Sequence, residues 1–132
     1  MPARLTKLSV CLVLCSLACQ STERAAMPHD VAIWHVVIIK LNDPGDPVAR
    51  QKLIDASKSF RQIPGVRVVY VGKVVPGLRP HQDSSFDVAV ALGFKTTEAL
   101  AAYASHPIHV KAVNDVLKPL AKDYTLYDFT NE

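Results

Sequence analysis

From residue 20 to its end the sequence has no cysteine, because all three cysteines stand at positions 11, 15 and 19. The body of the chain therefore contains no disulfide, no thiol nucleophile and no cysteine-based metal site. If it is secreted, as its first residues suggest, a domain of this kind relies for stability on its hydrophobic core or on association with another subunit.

An apolar run long enough to cross a membrane is also missing, since a spanning helix takes about 20 residues. The apolar residues 8–18 follow a short basic segment and have the size of a signal-peptide core. Ala18 then precedes Cys19, an arrangement that resembles a bacterial lipobox. We expect residues 1–18 to be a signal peptide and Cys19 to be lipidated, which anchors the protein at the bacterial cell envelope. The alternative is cleavage after Ala18 without lipidation, which gives a secreted or periplasmic soluble protein.

Basic and acidic residues are nearly equal in number. Without residues 1–18 the chain loses Arg4 and Lys7, so its basic residues fall from 15 to 13 against 12 acidic ones and the formal net charge is +1. A nucleic-acid footprint needs a clustered basic patch, so we expect no nucleic-acid partner, and contact with a membrane only through the lipid anchor. Residues 19–30 are polar and predict a flexible tether, which leaves residues 31–130 as one folded domain.

Hydrophobic periodicity and capping signals predict four strands and three helices in that domain. The strands fall at residues 31–40, 66–75, 86–93 and 124–129. The helices start after Asp46, after Thr96 and at Pro107, and the last one ends near Pro119. The order β-α-β-β-α-α-β predicts an α+β, ferredoxin-like fold, in which a four-stranded antiparallel sheet carries its helices on one face.

The first predicted strand is apolar on both of its faces. Because the helices cover only one face of the sheet, the other face needs a partner, and a second copy of the same sheet is the simplest one. We therefore expect a homodimer whose sheets face each other and form an α/β barrel.

The segment 103–109 places one phenol and two imidazoles close together, at Tyr103, His106 and His109. An imidazole with a pKa near neutrality can act as a general base, and a phenol can donate to a developing oxyanion. The alternative is architectural, because a histidine beside a helix break often bonds free backbone groups, a role that His106 fits best. A fourth ring, His35, shares a strand face with Val37 and Ile39, and is either a core histidine or part of a ligand pocket with an aliphatic floor.

A metal site is not expected. Pro107 interrupts the helix between His106 and His109, and no third ligand or close carboxylate pair stands near them. Proton transfer by His109 and Tyr103 would require neither a metal nor a redox cofactor.

Several of these segments together resemble the stress-responsive dimeric α/β-barrel (Dabb) domain family over about residues 31–130. They are the run HVVIIK at residues 35–40, the turn Ile63-Pro64-Gly65, and the motif Tyr103-x-x-His106-Pro107-x-His109. The closing residues Tyr127-Asp128-Phe129 fit as well. The resemblance implies a ferredoxin-like protomer that dimerises into a barrel, in agreement with the pattern of strands and helices.

The resemblance also bears on function. A few members of the family are polyketide cyclases, in which the positions of His109 and Tyr103 act in a cavity between sheet and helices, with the position of His35 nearby. Leu53 and Ala56 replace the larger aromatic walls of a cyclase pocket. We therefore expect a binding or stress-related role for a small hydrophobic or aromatic ligand, with His35, Val37, Ile39 and His106 in contact with it. The alternative is a cofactor-free lyase, cyclase or isomerase with His109 as base and Tyr103 as oxyanion donor.

Overall fold

A computed structural model of the protein describes residues 30–132, so the expected signal peptide, Cys19 and most of the expected tether lie outside the described residues. The four strands form one antiparallel sheet in the order β2-β3-β1-β4. They are β1 (Ile33–Leu41), β2 (Val66–Lys73), β3 (Val88–Phe94) and β4 (Ala121–Thr130). This order is that of a ferredoxin-like fold and confirms the architecture predicted from the sequence.

The helices lie between the strands as the capping signals predict. They are α1 (Pro47–Lys58), which continues into the 3-10 turn Ser59–Gln62, α2 (Thr97–Ser105), α3 (Pro107–Ala112) and α4 (Lys118–Leu120), with the π-helical turn Val113–Leu117 between the last two. Asp46 caps α1 by accepting a hydrogen bond from Val48 N at 2.8 Å. Thr96 caps α2 by accepting one from Ala99 N at 3.2 Å.

Some element boundaries differ from the prediction. Strand β3 begins at Val88 rather than at Phe86, because the buried Asp87 holds the loop after β1 through hydrogen bonds from Leu41 N at 2.8 Å and Gly45 N at 2.7 Å. Strand β2 ends at Lys73 rather than at residue 75. Strand β4 starts at Ala121, three residues earlier than expected.

The two faces of β1 have different neighbours. The side chains of Ile33, His35, Val37, Ile39 and Leu41 are buried under the helices. They join a core that includes the fully buried Leu92 and Phe94 of β3 and Tyr103 of α2. The helix-covered face of the sheet therefore contains the centre of the hydrophobic core.

The opposite face of the sheet, called here the open face, has no helix over it. The strand register places on it Trp34, Val36 and Ile38 of β1 together with Tyr127 and Phe129 of β4. Tyr127 and Phe129 are 55% and 52% exposed, which is high for side chains of this size. Trp34 stacks on Tyr70 of β2 at a ring separation of 6.5 Å. Within residues 30–132, no helix has the length and apolarity that a bilayer crossing needs.

Candidate functional site

A cavity of about 250 Å³ lies between the helix-covered face of the sheet and the helices. Its floor is formed by aliphatic side chains of β1 and β3, and its roof by α1, α2, α3 and the π-helical turn. The apolar walls are Val37, Ile39, Leu53, Phe60, Val90, Leu92, Ala112, Val113 and Leu117. Such a space suits a small, mainly apolar molecule.

Tyr103 provides one of the polar groups in this cavity. Its side chain is 2% exposed, and its ring lies edge-on to Phe60 and tilted against Phe94, at ring separations of 5.5 and 5.2 Å. Burial raises the pKa of the Tyr103 phenol well above its ordinary value of 10.0. The phenol therefore keeps its proton at every physiological pH and can act only as an uncharged hydrogen-bond group.

His109 lies beside Tyr103, with ring centres 4.4 Å apart. Its Nδ1 is 2.9 Å from the carbonyl oxygen of Ala104. A carbonyl oxygen only accepts, so Nδ1 carries the proton, and Nε2 of the neutral ring is left with a free lone pair. Burial, and to a lesser degree the nearby His35, lower the pKa of His109 below its ordinary value of 6.5. The ring is therefore neutral at physiological pH, which is the form that a general base needs.

His35 completes the polar end of the cavity. Its ring lies edge-on to Tyr103 at a separation of 5.9 Å. Its Nδ1 donates to the Asp128 carboxylate at 2.6 Å, from a position directly opposite Asp128 in the β1–β4 register. This bond fixes the ring orientation of His35 and directs its Nε2 away from β4.

Five of the six residues expected to form the site line this one cavity. Tyr103, His109, His35, Val37 and Ile39 come together in it, although they belong to three different elements. His106 does not line the cavity. Its Nδ1 accepts a hydrogen bond from Ile108 N at 3.2 Å and caps α3, in the architectural role that the sequence also suggested.

Three residues of β4 belong to the site and were not identified from the sequence. Tyr124 and Leu126 line the cavity, and Asp128 orients His35. The sequence did contain a signal for this grouping, because these three residues are spaced two apart and therefore lie on one face of a strand. Only the pairing of β4 with β1 shows which face that is.

No Lys, Arg, Asp or Glu of the described chain lines the cavity. Among residues 30–132 no three His, Cys, Asp or Glu side chains cluster in a way that would hold a metal ion. The chemistry that the cavity offers is hydrogen bonding and proton transfer by the converging phenol of Tyr103 and imidazoles of His109 and His35, with the hydroxyl groups of Ser57 and Tyr124 elsewhere in its lining.

The family of the chain follows from comparison with known proteins. The model of the stress-responsive A/B barrel domain (Dabb) matches residues 33–131. A curated relative, a stress-response A/B barrel domain-containing protein of Arabidopsis thaliana, is 24% identical over 109 residues. That match covers 83% of this chain but 40% of the relative, so the chain spans less than half of its length.

Solved structures have the same fold. A Dabb family protein with a ferredoxin-like fold from Mesorhizobium loti superposes with a TM-score of 0.63 at 23% identity, over 77% of this chain and 98% of its own. A dimeric ferredoxin-like protein of unknown function from Thermobifida fusca gives 0.63 at 23%, over 78% and 93%. A hydroxynitrile lyase from Passiflora edulis gives 0.63 at 12%, over 78% and 95%. With the family model matching nearly the whole described domain, the chain belongs to the stress-responsive A/B barrel domain (Dabb) family.

Proposed function

We propose that the protein is a homodimer that binds a small, uncharged, mainly apolar or aromatic molecule in the cavity between sheet and helices. The observation that carries this proposal is the convergence of Tyr103, His109 and His35 at one end of a mainly apolar cavity. An apolar space with a few converging polar groups is the usual form of a ligand site.

The polar groups indicate the chemistry of the ligand. Nε2 of His109 accepts a hydrogen bond and the Tyr103 hydroxyl donates one, so a ligand with a hydroxyl or carbonyl group is matched at that end. No charged side chain of the described residues is available to neutralise a carboxylate or phosphate inside the cavity. A neutral phenol fits this description, and a free phosphate ester does not.

Binding is tested with 2-naphthol, a neutral aromatic alcohol, by isothermal titration calorimetry and by thermal shift. Saturable binding with one site per protomer is expected, together with loss of affinity in the variant Ala112→Phe, which fills the cavity. The matched control Ala101→Phe carries the same ring on the exposed side of α2. The absence of binding across 2-naphthol and a panel of neutral aromatics would refute the proposal.

A second candidate function is proton-transfer catalysis, as in a cofactor-free lyase, cyclase or isomerase. It is favoured by the hydrogen bond from His109 Nδ1 to Ala104 O, which leaves Nε2 free to take a proton from carbon or oxygen. Tyr103, 4.4 Å away between ring centres, would donate to the oxygen on which negative charge develops. The hydroxynitrile lyase from Passiflora edulis has the same fold, which makes lyase chemistry a natural activity to assay.

Catalysis is tested by turnover of neutral enolisable ketones and aromatic hydroxynitriles. A general base contributes roughly 10²- to 10⁴-fold, so His109→Ala should lower kcat by that order while His106→Ala should not. Equal activity of wild type and His109→Ala on a substrate that turns over would refute this second candidate.

The homodimer is supported by the apolar open face and by the dimeric state of the Thermobifida fusca protein of the same fold. The sequence before the domain supports lipidation of Cys19 and anchoring at the cell envelope. Mass spectrometry of the mature N-terminus tests this, and a free, unmodified Cys19 amine would contradict it.

A further inference from the structure

The loop between β2 and β3 is an exposed apolar projection with a defined conformation. Leu78 is 84% exposed and Val75 is 64% exposed, the two highest values among the large hydrophobic side chains of the described residues. The side chain of Gln82 holds this loop, because its Oε1 accepts from Leu78 N at 3.2 Å and its Nε2 donates to Val75 O at 3.4 Å. A loop that is fixed while displaying leucine to solvent is typical of a contact surface.

The loop joins Lys73 of β2 to Val88 of β3, two residues that pair with each other, and Val88 also pairs with Ile39 of β1. It therefore lies at the end of the sheet where β1 ends and β4 begins. Lys40 belongs to the open-face side of β1, in line with Trp34, Val36 and Ile38. The loop therefore borders the surface on which the second protomer is proposed to pack.

The relief of the open face indicates how two copies fit. On β1 it carries the large Val36 and Ile38, while the positions paired with them on β3 are Ala91 and Ala89. Gly72 of β2 pairs with Ala89, and a Cβ added there would meet nothing within 4 Å. The face therefore has a ridge at Val36 and Ile38 of β1 beside a shallow depression at Ala91, Ala89 and Gly72. Towards the other end of the face Tyr70 stacks on Trp34, and Val68 fills the space beside Gly93.

A two-fold axis parallel to the strands places each ridge in the depression of the partner, with β1 over β3. An axis across the strands would instead oppose ridge to ridge and depression to depression, which leaves a void. The parallel axis also brings β4 of one protomer next to β2 of the other. The loop that follows β2 then arrives at the beginning of β4, where Tyr124 lies.

Tyr124 and Leu126 line the cavity at this edge of the sheet and are 42% and 52% exposed, so they form its mouth. We infer that each protomer's β2–β3 loop covers the mouth of the other protomer's cavity, with Leu78 of the partner subunit in contact with Tyr124 and Leu126. The ligand site is then completed by two chains. This inference rests on the homodimer and the ligand site proposed above.

Disulfide formation tests the placement directly. In a full-length chain with Cys11, Cys15 and Cys19 replaced by Ser, the pair Leu78→Cys and Tyr124→Cys should form a covalent dimer under mild oxidation, which dithiothreitol reverses. Strands β2 and β4 are the two edges of one sheet, about 14 Å apart at three strand spacings, so a bridge within one chain is not expected.

The matched control pairs Leu78→Cys with Thr130→Cys, which is on the same side of β4 but roughly 20 Å further along the strand. The control and the two single variants should give little covalent dimer. A yield from the test pair no greater than that of the single variants overturns the inference, whether or not the cavity binds any ligand.

Binding of 2-naphthol tests the consequence. Leu78→Asp should weaken binding by about tenfold, because a charge replaces an apolar contact at the mouth. Val48→Asp, the same kind of change at an exposed position of α1, should leave the affinity unchanged. Emission from Trp34, the only tryptophan of the chain, reports whether the dimer persists. Wild-type affinity in Leu78→Asp overturns the inference, whereas failure of the wild type itself to bind counts against the ligand site alone.

Discussion

The two faces of the sheet carry almost the same kinds of residue, but helices cover one face and not the other. On the helix-covered face, the side chains of β1 are buried but the space above them is incompletely filled, and the remaining cavity collects Tyr103, His109 and His35. On the open face, Val36, Ile38 and their neighbours have no helix over them. The same alternation along a strand thus supplies a cavity on one side and an uncovered apolar surface on the other.

The comparison teaches that apolar character alone does not distinguish a core from an interface. What differs is the set of polar groups, because two histidines converge with Tyr103 on the covered face, whereas the open face of the described residues carries Tyr70 and Tyr127 but no histidine. A surface of that kind favours a second copy, and a cavity with hydrogen-bonding groups favours a ligand. Four experiments test this division, in order of decreasing expected effect.

Ile38→Asp should have the largest effect, since it places one carboxylate per protomer in the middle of the proposed interface. Burial of an unpaired charge costs about 3 kcal/mol or more and each dimer would bury two, so the dimer should dissociate roughly 10,000-fold more readily. Sedimentation equilibrium measures this change. Val48→Asp on the exposed surface of α1 is the control. An unchanged dimer in Ile38→Asp would show that the open face is not the interface.

Leu92→Ala tests the covered face, where Leu92 is fully buried in the core and also borders the cavity. Large-to-small core substitutions lower the free energy of unfolding by about 2–5 kcal/mol. Because the existing cavity gives the site little support, a value in the upper half of that range is expected. Urea denaturation gives the measurement, and a loss below about 1 kcal/mol would contradict the assigned packing.

His106→Ala and His109→Ala should separate two rings that lie three residues apart. His106 caps α3, so its loss should lower the free energy of unfolding by about 1 kcal/mol without affecting 2-naphthol binding. His109 contacts the cavity, so its loss should weaken binding. Calorimetry measures the affinity and denaturation the stability of both variants. Weaker binding in His106→Ala but not in His109→Ala would contradict the assigned roles of the two rings.

The pH dependence should be the smallest effect. Because burial lowers the pKa of His109 below its ordinary value of 6.5, the ring is mainly neutral between pH 6.5 and pH 8. As the pH falls through the lowered pKa, Nε2 gains a proton and can no longer accept from a ligand hydroxyl. Affinity for 2-naphthol should therefore be constant above pH 6.5 and fall a few-fold at lower pH. His109→Gln should remove the decline, and persistence of the decline in that variant would assign it to another group.

The lowered pKa of His109 also makes the free energy of unfolding depend on pH. The unfolded chain binds a proton at its ordinary histidine pKa, while the folded protein binds it only at lower pH. The unfolded state therefore holds more protons in that interval, and the free energy of unfolding decreases as the pH falls from 6.5 through the lowered pKa.

Much of the fold could be predicted, because its determinants are close together in the sequence. Alternation in β1, the caps at Asp46 and Thr96, and the helix break at Pro107 involve neighbouring residues, and each was found where it was predicted. The predicted start of β3 was wrong because Asp87 accepts hydrogen bonds from the backbone of Leu41 and Gly45, more than forty residues away.

The order of strands and helices, the two apolar faces of β1, and the motif that carries Tyr103 and His109 are visible in the sequence. The packed fold is needed to see that a cavity remains between sheet and helices, that Ala104 sets the tautomer of His109, and that Asp128 orients His35 from 93 residues away. The physical reason is that periodicity and capping act over a few residues. The space left in a core and the pairing of distant strands depend on how all the elements pack together.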